Sequence, residues 1–205
     1  MKKFLLFWII SMMTTVTAFG QTTKLPDPQI TGGPAVLDAI EARASASGSS
    51  FPTGAITEAD LATLLWSATG RNRKGSGWTV PTARGMDPYT SLYVAAPNGV
   101  FLYDGKAHAL VTISDKDIRK SISGQGFVAA ASHVLIFVTD QDADQRANGY
   151  KMVLAGAMAQ NIYLAGQALN ISGRYMITMN ADVIRTELKL EGTAIPVALM
   201  PIGHQ

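Results

Sequence analysis

The chain has 205 residues, of which 47% are hydrophobic and 16% charged, a composition typical of one folded domain with a full core. It contains no cysteine, which excludes disulfides, thiolate metal sites and cysteine nucleophiles, and its three histidines make a multi-histidine metal site a poor candidate. The formal net charge of +2 is too small to indicate a nucleic-acid partner.

Residues 1–20 have the pattern of a secretory signal peptide. Two lysines follow Met1, an apolar run covers residues 4–13, and the small residues Ala18 and Gly20 occupy the −3 and −1 positions of a cleavage site. The apolar run is shorter than the ~20 residues of a membrane-spanning helix. We therefore expect a periplasmic or secreted protein, cleaved after Gly20, that keeps no stable membrane span.

The remaining sequence begins with an extended arm over residues 21–33, where two prolines and two glycines leave no helix or strand period. A helix is predicted over residues 34–46, because Pro34 suits a first turn and three aliphatic residues then share one face. A second helix is predicted from its N-cap at Thr57 to Gly70, which ends it.

Beyond residue 90 the pattern alternates between strands and helices. The strands predicted there cover residues 91–97, 99–113 (a hairpin that turns at Asp104-Gly105), 133–140, 174–179 and 194–203, and the helices cover residues 115–121, 144–169 and 181–188. This irregular mixture, with one hairpin and no internal repeat, predicts a single α+β domain over residues 34–205.

The end of the first predicted helix, "RASASGSS", carries a candidate anion site. Arg43, Ser45 and Ser47 combine a guanidinium with two hydroxyls, a set that can hold a phosphate through charge-assisted hydrogen bonds. The same residues also suit an ordinary solvated helix end. The pattern by itself leaves both interpretations open.

The stretch "GRNRKGSGWTVPTARG" (residues 70–85) is the second candidate. Arg71, Asn72, Arg73 and Arg84 could meet an anion or a polar heterocycle, and Pro81 stands before two small residues where backbone can approach a ligand closely. The alternative is a solvated basic loop.

The long predicted helix over residues 144–169 is apolar nearly all round, which indicates burial inside the fold or in a dimer. Gln160 and Asn161 are predicted to be buried in it and to need partners from another helix or a ligand. Gly156 and Gly166 each cost about 1 kcal/mol of helix stability against alanine, which implies close backbone packing.

Taken in order, these motifs resemble the FMN-dependent nitroreductase family. The motifs that carry the resemblance are Arg-x-Ser after the first helix, "LLWSATGRNR", "PTAR", the tyrosine-containing hairpin, "GQGF", "AGAMAQNIYLAGQAL" and the terminal "PIGHQ". The resemblance implies a nitroreductase-like α+β fold, with a central, mostly antiparallel sheet flanked by helices. It also implies a homodimer with two FMN molecules at the subunit interface.

The resemblance also assigns residues to the cofactor. The expected FMN-binding residues are Arg43, Ser45 and Ser47 at the phosphate; Pro81, Thr82, Ala83 and Arg84 in a loop that reaches the flavin from the partner subunit; Gln125; and Asn170, Ser172 and Gly173 after the long helix. The sequence departs from the family at Ser47, where many members have a second arginine, and at Gly85 and Asp87. Arg71, Arg73 and Lys74 are candidate replacements for the missing positive charge.

The implied activity is an oxidoreductase reaction in which FMN passes electrons from NAD(P)H or another small-molecule donor to an organic acceptor, such as a nitroaromatic or a quinone. No catalytic side chain and no metal is expected, because the chemistry belongs to the flavin. The alternative is a protein of the same fold in the cell envelope that binds a flavin or another heterocycle without turnover, a possibility that Ser47, Gly85 and Asp87 raise.

Overall fold

The computed structural model describes residues 20–82 and 86–205, in which seven strands form one antiparallel sheet. The strands of that sheet are β1 (Thr22–Lys24), β4 (Thr90–Ala96), β5 (Gly99–Asp104), β6 (Ala109–Ser114), β7 (His133–Asp140), β8 (Ile171–Gly173) and β9 (Ala194–His204). Their order across the sheet is β1-β6-β5-β4-β7-β9-β8. The helices are α1 (Val36–Ala42), α2 (Glu58–Thr69), α3 (Gly126–Ala130), α4 (Gln145–Leu169) and α5 (Ala181–Glu187), and β2 (Arg71–Asn72) with β3 (Gly77–Trp78) forms a small separate hairpin.

The sheet is built around β7, whose continuous apolar run is buried from Val134 to Thr139 and pairs with β4 on one side and β9 on the other. Side chains alternate between its two faces, so each face packs its own core. Leu135 and Phe137 join the core beneath α2 and α4, whereas Val134 and Ile136 join the core beneath α3 and α5. The α+β prediction, with an antiparallel sheet flanked by helices, is confirmed.

Helix α2 forms where the capping pattern predicts it. The Thr57 hydroxyl accepts a hydrogen bond from the Asp60 N–H at 3.1 Å and donates to the Asp60 carboxylate at 2.6 Å. These bonds satisfy the helix start. Leu61, Leu64 and Leu65 then bury one face in the core.

Helix α4 is the longest element, and at 25 residues it extends about 37 Å. Asp144 caps its start through the Arg146 N–H at 2.9 Å. Its last turn ends at Asn170, which adopts the left-handed conformation (φ 54°) and turns the chain directly into β8. A Cβ on Gly166 would collide with the Ile171 carbonyl, so the predicted close packing at that glycine is confirmed.

Three predicted elements differ from the structure. The first helix is shorter than residues 34–46: it covers Val36–Ala42, with Ala35 at the N-cap position making no side-chain hydrogen bond, and it ends because Arg43 leaves the helical conformation (ψ 122°). Turns replace the helix predicted over residues 115–121, since the Asp117 carboxylate accepts from the Arg119 N–H and holds a tight bend. The strand predicted over residues 174–179 is reduced to a single bridge at Met176, and β8 precedes it instead.

The predicted arm also takes part in the sheet. Thr22–Lys24 pairs antiparallel with β6 at the sheet edge, and the Leu25 N–H continues the contact by donating to the His108 carbonyl at 3.0 Å. The predicted β5–β6 hairpin is confirmed, and the Asp104 carboxylate organises its turn by accepting from the Lys106 and Ala107 N–H groups. Among residues 20–82 and 86–205, no helix is both long and apolar enough to cross a membrane.

His133 at the start of β7 is held neutral by its surroundings. Burial, and then the nearby Arg119 guanidinium, lower the pKa of its imidazole to about 4. Ser132 Oγ lies 3.0 Å from His133 Nδ1 and also accepts from the Ile56 N–H, which ties this ring to the chain just before α2. The native protein therefore resists protonation at a position where the unfolded chain would be protonated below about pH 6.5.

We expect His133→Gln to flatten the acid side of the stability profile. Between about pH 6.5 and pH 4 only the unfolded chain binds this proton, so the wild type loses up to about 1.4 kcal/mol of unfolding free energy per pH unit from this residue as the pH falls. Urea unfolding at pH 7 and pH 4.5 measures the difference, with His204→Gln as the control. Equal acid sensitivity in the His133 variant and the wild type would contradict the assignment.

Candidate functional site

The first part of the candidate site is the serine-rich segment, residues 43–50, which follows α1. Ser45 Oγ lies 2.9 Å from the Tyr163 hydroxyl of α4, and the Arg43 guanidinium lies 5.2 Å from the centre of the same ring. The Ala46 N–H donates to the Gly173 carbonyl at 2.9 Å. The segment is therefore fixed against both α4 and β8.

A second arginine reaches the serine-rich segment from β8. Arg174 Nη1 donates to the Ala46 carbonyl at 3.4 Å, and the guanidinium lies 5.7 Å from the centre of the Phe127 ring. A Cβ on Gly48 would lie only 3.0 Å from Phe127, so the glycine lets the segment approach this ring closely. Arg43 and Arg174 thus stand at two sides of one short segment.

A cavity of about 390 Å³ opens beside the serine-rich segment. Its lining includes three serines, at positions 45, 50 and 172, and the amide side chain of Gln205. Gln205 closes one side, because its N–H donates to the Asn170 carbonyl at 3.0 Å and its side-chain amide donates to Ser172 Oγ. The expected residues Asn170, Ser172 and Gly173 therefore lie next to the serine-rich segment.

The two arginines at the serine-rich segment have no acidic partner in the described part of the chain. Within the described ranges 20–82 and 86–205, neither Arg43 nor Arg174 has a carboxylate within 4.0 Å, whereas Arg119 is paired with Asp117 at 2.7 Å. Both unpaired arginines are half-buried. Partly desolvated guanidinium groups without an acidic partner favour an anion at the site.

The second part of the candidate site is the β2–β3 hairpin. The Arg71 guanidinium stacks 4.5 Å from the centre of the Trp78 ring, and the Trp66 indole N–H donates to the Arg71 carbonyl at 2.8 Å. Arg73 begins the turn with φ 47°, and its guanidinium covers Gly77 so closely that a Cβ there would overlap it. Much of this basic stretch is therefore ordered by its own aromatic and glycine neighbours.

Three buried polar atoms in this hairpin region lack a hydrogen-bond partner among the described residues. They are Asn72 Oδ1, Trp78 Nε1 and Thr79 Oγ1. A buried polar group without a partner is costly, so this part of the hairpin stores unfavourable free energy in the single chain. Pro81 and Thr82 follow directly, while the expected site residues Ala83 and Arg84 lie outside the described residues, as does Gly85.

Helix α4 separates the two parts of the site. Asn161 Nδ2 donates to the Ser67 carbonyl at 3.0 Å and to the Thr79 carbonyl at 3.1 Å, which attaches the hairpin to one side of the helix. Tyr163 attaches the serine-rich segment to the other side, since residues two apart on a helix face different directions. Among the described residues, no hydrogen bond or ion pair joins the two parts within one protomer.

The two amide side chains predicted to be buried on α4, Gln160 and Asn161, differ in the structure. Asn161 makes the predicted polar contact between helices, because Ser67 belongs to α2. Gln160, predicted to be buried, is exposed in the protomer, because it lies on the face of α4 that turns away from the sheet.

Gln125 lies just before α3, where its N–H donates to Ser123 Oγ at 3.3 Å. It stands two residues from Phe127, the ring that contacts Gly48, so it belongs to the same side of the site as the serine-rich segment. Stacking of Phe127 on Phe51 at 5.3 Å between ring centres connects α3 to the end of that segment.

Sequence reasoning missed three residues of the site: Tyr163, Arg174 and Gln205. None of the three has a local signal in the sequence, because each role depends on partners distant in sequence.

Comparison with known proteins gives a consistent result. A family model described as the nitroreductase family matches residues 40–204. A protein from Ralstonia eutropha described as a nitroreductase has a TM-score of 0.80 at 28% identity, covering 92% of this chain and 90% of that chain. No curated protein matches the chain significantly.

Two further solved structures share the fold. A protein from Anabaena variabilis described as a nitroreductase has a TM-score of 0.76 at 18% identity, covering 90% of this chain and 42% of that chain. One from Bacteroides thetaiotaomicron described as an NADH dehydrogenase/NAD(P)H nitroreductase has a TM-score of 0.57 at 15% identity, covering 84% of this chain and 87% of that chain. At these identities the likeness shows the fold alone.

We expect Tyr163→Phe to loosen the serine-rich segment. The Tyr163 hydroxyl accepts from the Tyr175 N–H at 2.8 Å as well as meeting Ser45, so its loss leaves a backbone donor without this partner. The expected cost is about 1–3 kcal/mol of unfolding free energy, measured by urea denaturation. Ser45→Ala, which leaves the Tyr175 bond intact, is the matched control, and an equal loss in both variants would contradict this account.

Proposed function

The chain belongs to the nitroreductase family and is an oxidoreductase of that type, and we propose that it is an exported FMN-dependent enzyme. Its proposed reaction passes electrons from NAD(P)H or another donor to an organic acceptor, a nitroaromatic, a quinone or a similar compound. The proposed active form is a homodimer.

The observation that carries the cofactor proposal is the uncompensated positive charge at the serine-rich segment. Arg43 is half-buried and has no acidic partner among residues 20–82 and 86–205, and the hydroxyls of Ser45 and Ser47 lie on the same segment. These are the donors that hold a terminal phosphate. The residues present therefore fit the phosphate of FMN.

The hairpin fits the other end of such a molecule. Asn72 and Thr79 each hold a buried side-chain oxygen without a partner in the described part of the chain. A flavin ring carries a polar edge with both donors and acceptors, and contact with these two oxygens would require a local rearrangement, because both are closed off from solvent in the single chain. Pro81 then supplies rigid backbone that can lie close to a flat ring.

When bound, FMN would accept hydride from a reduced donor and pass electrons to the acceptor. This chain's residues would hold the phosphate, orient the ring and limit the access of water, and none needs to act as a nucleophile. The absence of cysteine from the sequence is therefore compatible with the proposed activity.

The homodimer is supported by one exposed face of α4. Val153 is 66% exposed, and Gly156 and Gln160 follow it at helical spacing on the same face. No atom lies within 4 Å of a Cβ built on Gly156, so nothing within the described protomer requires a glycine there. Close approach of a second copy would require it.

Helix α1 packs against α4 and carries further exposed side chains. Its exposed side chains Val36, Leu37 and Ile40 are 65%, 73% and 50% accessible. Exposed aliphatic side chains concentrated in this way are typical of an interaction site. Pairing two copies through this surface would also let the hairpin of one chain meet the serine-rich segment of the other.

Export is proposed from the signal-peptide pattern of residues 1–20, which the described residues do not include apart from Gly20. Cell fractionation of the full-length chain tests it. A mature protein that begins at Gln21 in the periplasm or medium is the expected product, and an uncleaved cytoplasmic product would contradict export.

We expect the mature chain, supplied with FMN, to show visible flavin absorbance and quenched flavin fluorescence. Anaerobic NADH or NADPH should bleach the absorbance, and a nitroaromatic or quinone should restore it. Arg43→Ala should weaken FMN binding roughly tenfold or more through loss of a charge-assisted bond. Flavin that binds but is neither reduced nor reoxidised would contradict the enzyme and favour a binding protein, and absence of flavin binding would contradict both.

We expect Gly156→Leu to separate the dimer without unfolding the protomer. Leucine favours helix over glycine by roughly 0.8–1 kcal/mol, and its side chain has open space in the single chain, but it would hold two α4 helices apart. Light scattering gives the mass, and flavin titration should show weaker binding in the same variant. Thr186→Leu is the control, because it adds bulk at an exposed position of α5, on the opposite face of the sheet, and should leave the dimer intact. A Gly156→Leu protein that remains dimeric would contradict the proposed interface.

A further inference from the structure

The geometry points to Arg174 as a second cation for the phosphate of FMN, acting beside Arg43. The inference rests on the proposed function and adds a residue that the sequence motifs do not assign. It also accounts for Ser47, which stands where a second arginine is expected from the resemblance.

Arg174 lies beside the serine-rich segment. Arg174 directly follows Gly173, whose carbonyl accepts from the Ala46 N–H at 2.9 Å, so β8 lies alongside the serine-rich segment at this point. Arg174 Nη1 then donates to the Ala46 carbonyl at 3.4 Å. Ala46 immediately precedes Ser47, so this guanidinium lies next to the position where the second arginine is missing.

Arg174 has hydrogen-bond donors that the described residues do not use. An arginine has five N–H donors, and the described residues engage one of those of Arg174, at the long distance of 3.4 Å. No carboxylate of the described residues lies within 4.0 Å of it. The Phe127 ring, 5.7 Å away, supports the guanidinium from one side and leaves its other donors available.

The other described arginines lie away from the serine-rich segment or have partners of their own: Arg73 covers Gly77 in the hairpin, and Arg146 is exposed at the start of α4. Arg119 is bound to Asp117 and to the carbonyls of Ala131 and Ser132, and Arg185 donates to the Ala194 carbonyl. Arg71 stacks on Trp78 in the hairpin, on the other side of α4. Within the described protomer, Arg174 is therefore the cation best placed to join Arg43.

A phosphate monoester carries close to two negative charges near neutral pH, and it is best matched by two guanidinium groups with several hydroxyls. The serine-rich segment provides the hydroxyls at positions 45, 47, 49 and 50. The Arg43 guanidinium lies over the Tyr163 ring of α4, and the Arg174 guanidinium lies over the Phe127 ring of α3 while it contacts the Ala46 carbonyl. This arrangement predicts that Arg174 contributes to the phosphate and little to the ring.

The test compares FMN with riboflavin, which has the same ring and lacks the phosphate. Dissociation constants for both are measured by fluorescence quenching with the wild type, Arg174→Gln, Arg174→Lys and the control Arg146→Gln, which removes an exposed charge at the start of α4. Circular dichroism and light scattering check that each variant keeps its fold and mass.

We expect Arg174→Gln to weaken FMN binding roughly tenfold or more while changing riboflavin binding less than about twofold. Arg174→Lys should recover part of the loss, because it restores the charge without the forked geometry. Arg146→Gln should behave as the wild type does.

Four results would overturn the inference. Unchanged FMN affinity in Arg174→Gln would place the phosphate elsewhere, and an equal loss for both flavins would give Arg174 a positioning role only. A wild type that binds FMN no more tightly than riboflavin would exclude phosphate recognition while leaving the flavin proposal intact. A wild type that binds neither flavin would contradict the proposed function as well.

Discussion

The structure of the candidate site depends on how α4 holds its neighbours. Asn161 attaches the hairpin through the Ser67 and Thr79 carbonyls, and Tyr163 attaches the serine-rich segment through Ser45. Because these two side chains are two positions apart on one helix, they face different sides of it. One protomer therefore holds two sets of binding groups on different sides of α4, and we propose that the ligand reaches both sets across two protomers.

The charges support the same account. The described part of the chain pairs Arg119, Lys106 and Lys116 with carboxylates but leaves Arg43 and Arg174 unpaired at the serine-rich segment. At the hairpin, Arg71, Arg73 and Lys74 likewise have no carboxylate partner among the described residues, and three buried polar atoms there have no hydrogen-bond partner. We propose that the serine-rich segment meets the phosphate of a flavin mononucleotide and the hairpin its ring.

The sequence predicts the elements that have strong local signals. Helix α2 has its cap at Thr57, and β7 has a long run of buried aliphatic residues, so both appear where the pattern places them. The bend that the Asp117 carboxylate holds replaces the helix predicted over residues 115–121. After the left-handed Asn170, the chain enters β8 directly, ahead of the strand predicted over residues 174–179. Arg174 could not be assigned from sequence, because its contact with Ala46 spans 128 positions and exists only through the pairing of β8 with β9.

The central claim is that each site is assembled from two chains, and subunit mixing tests it directly. An Arg43→Ala chain lacks the guanidinium proposed to hold the phosphate. An Asn72→Ala chain lacks the amide side chain of the hairpin. In a random mixture, half of the dimers are mixed and each has one intact site, so about a quarter of the tight FMN sites should return. No recovery after mixing, with formation of mixed dimers shown by mass, would contradict a site shared between protomers.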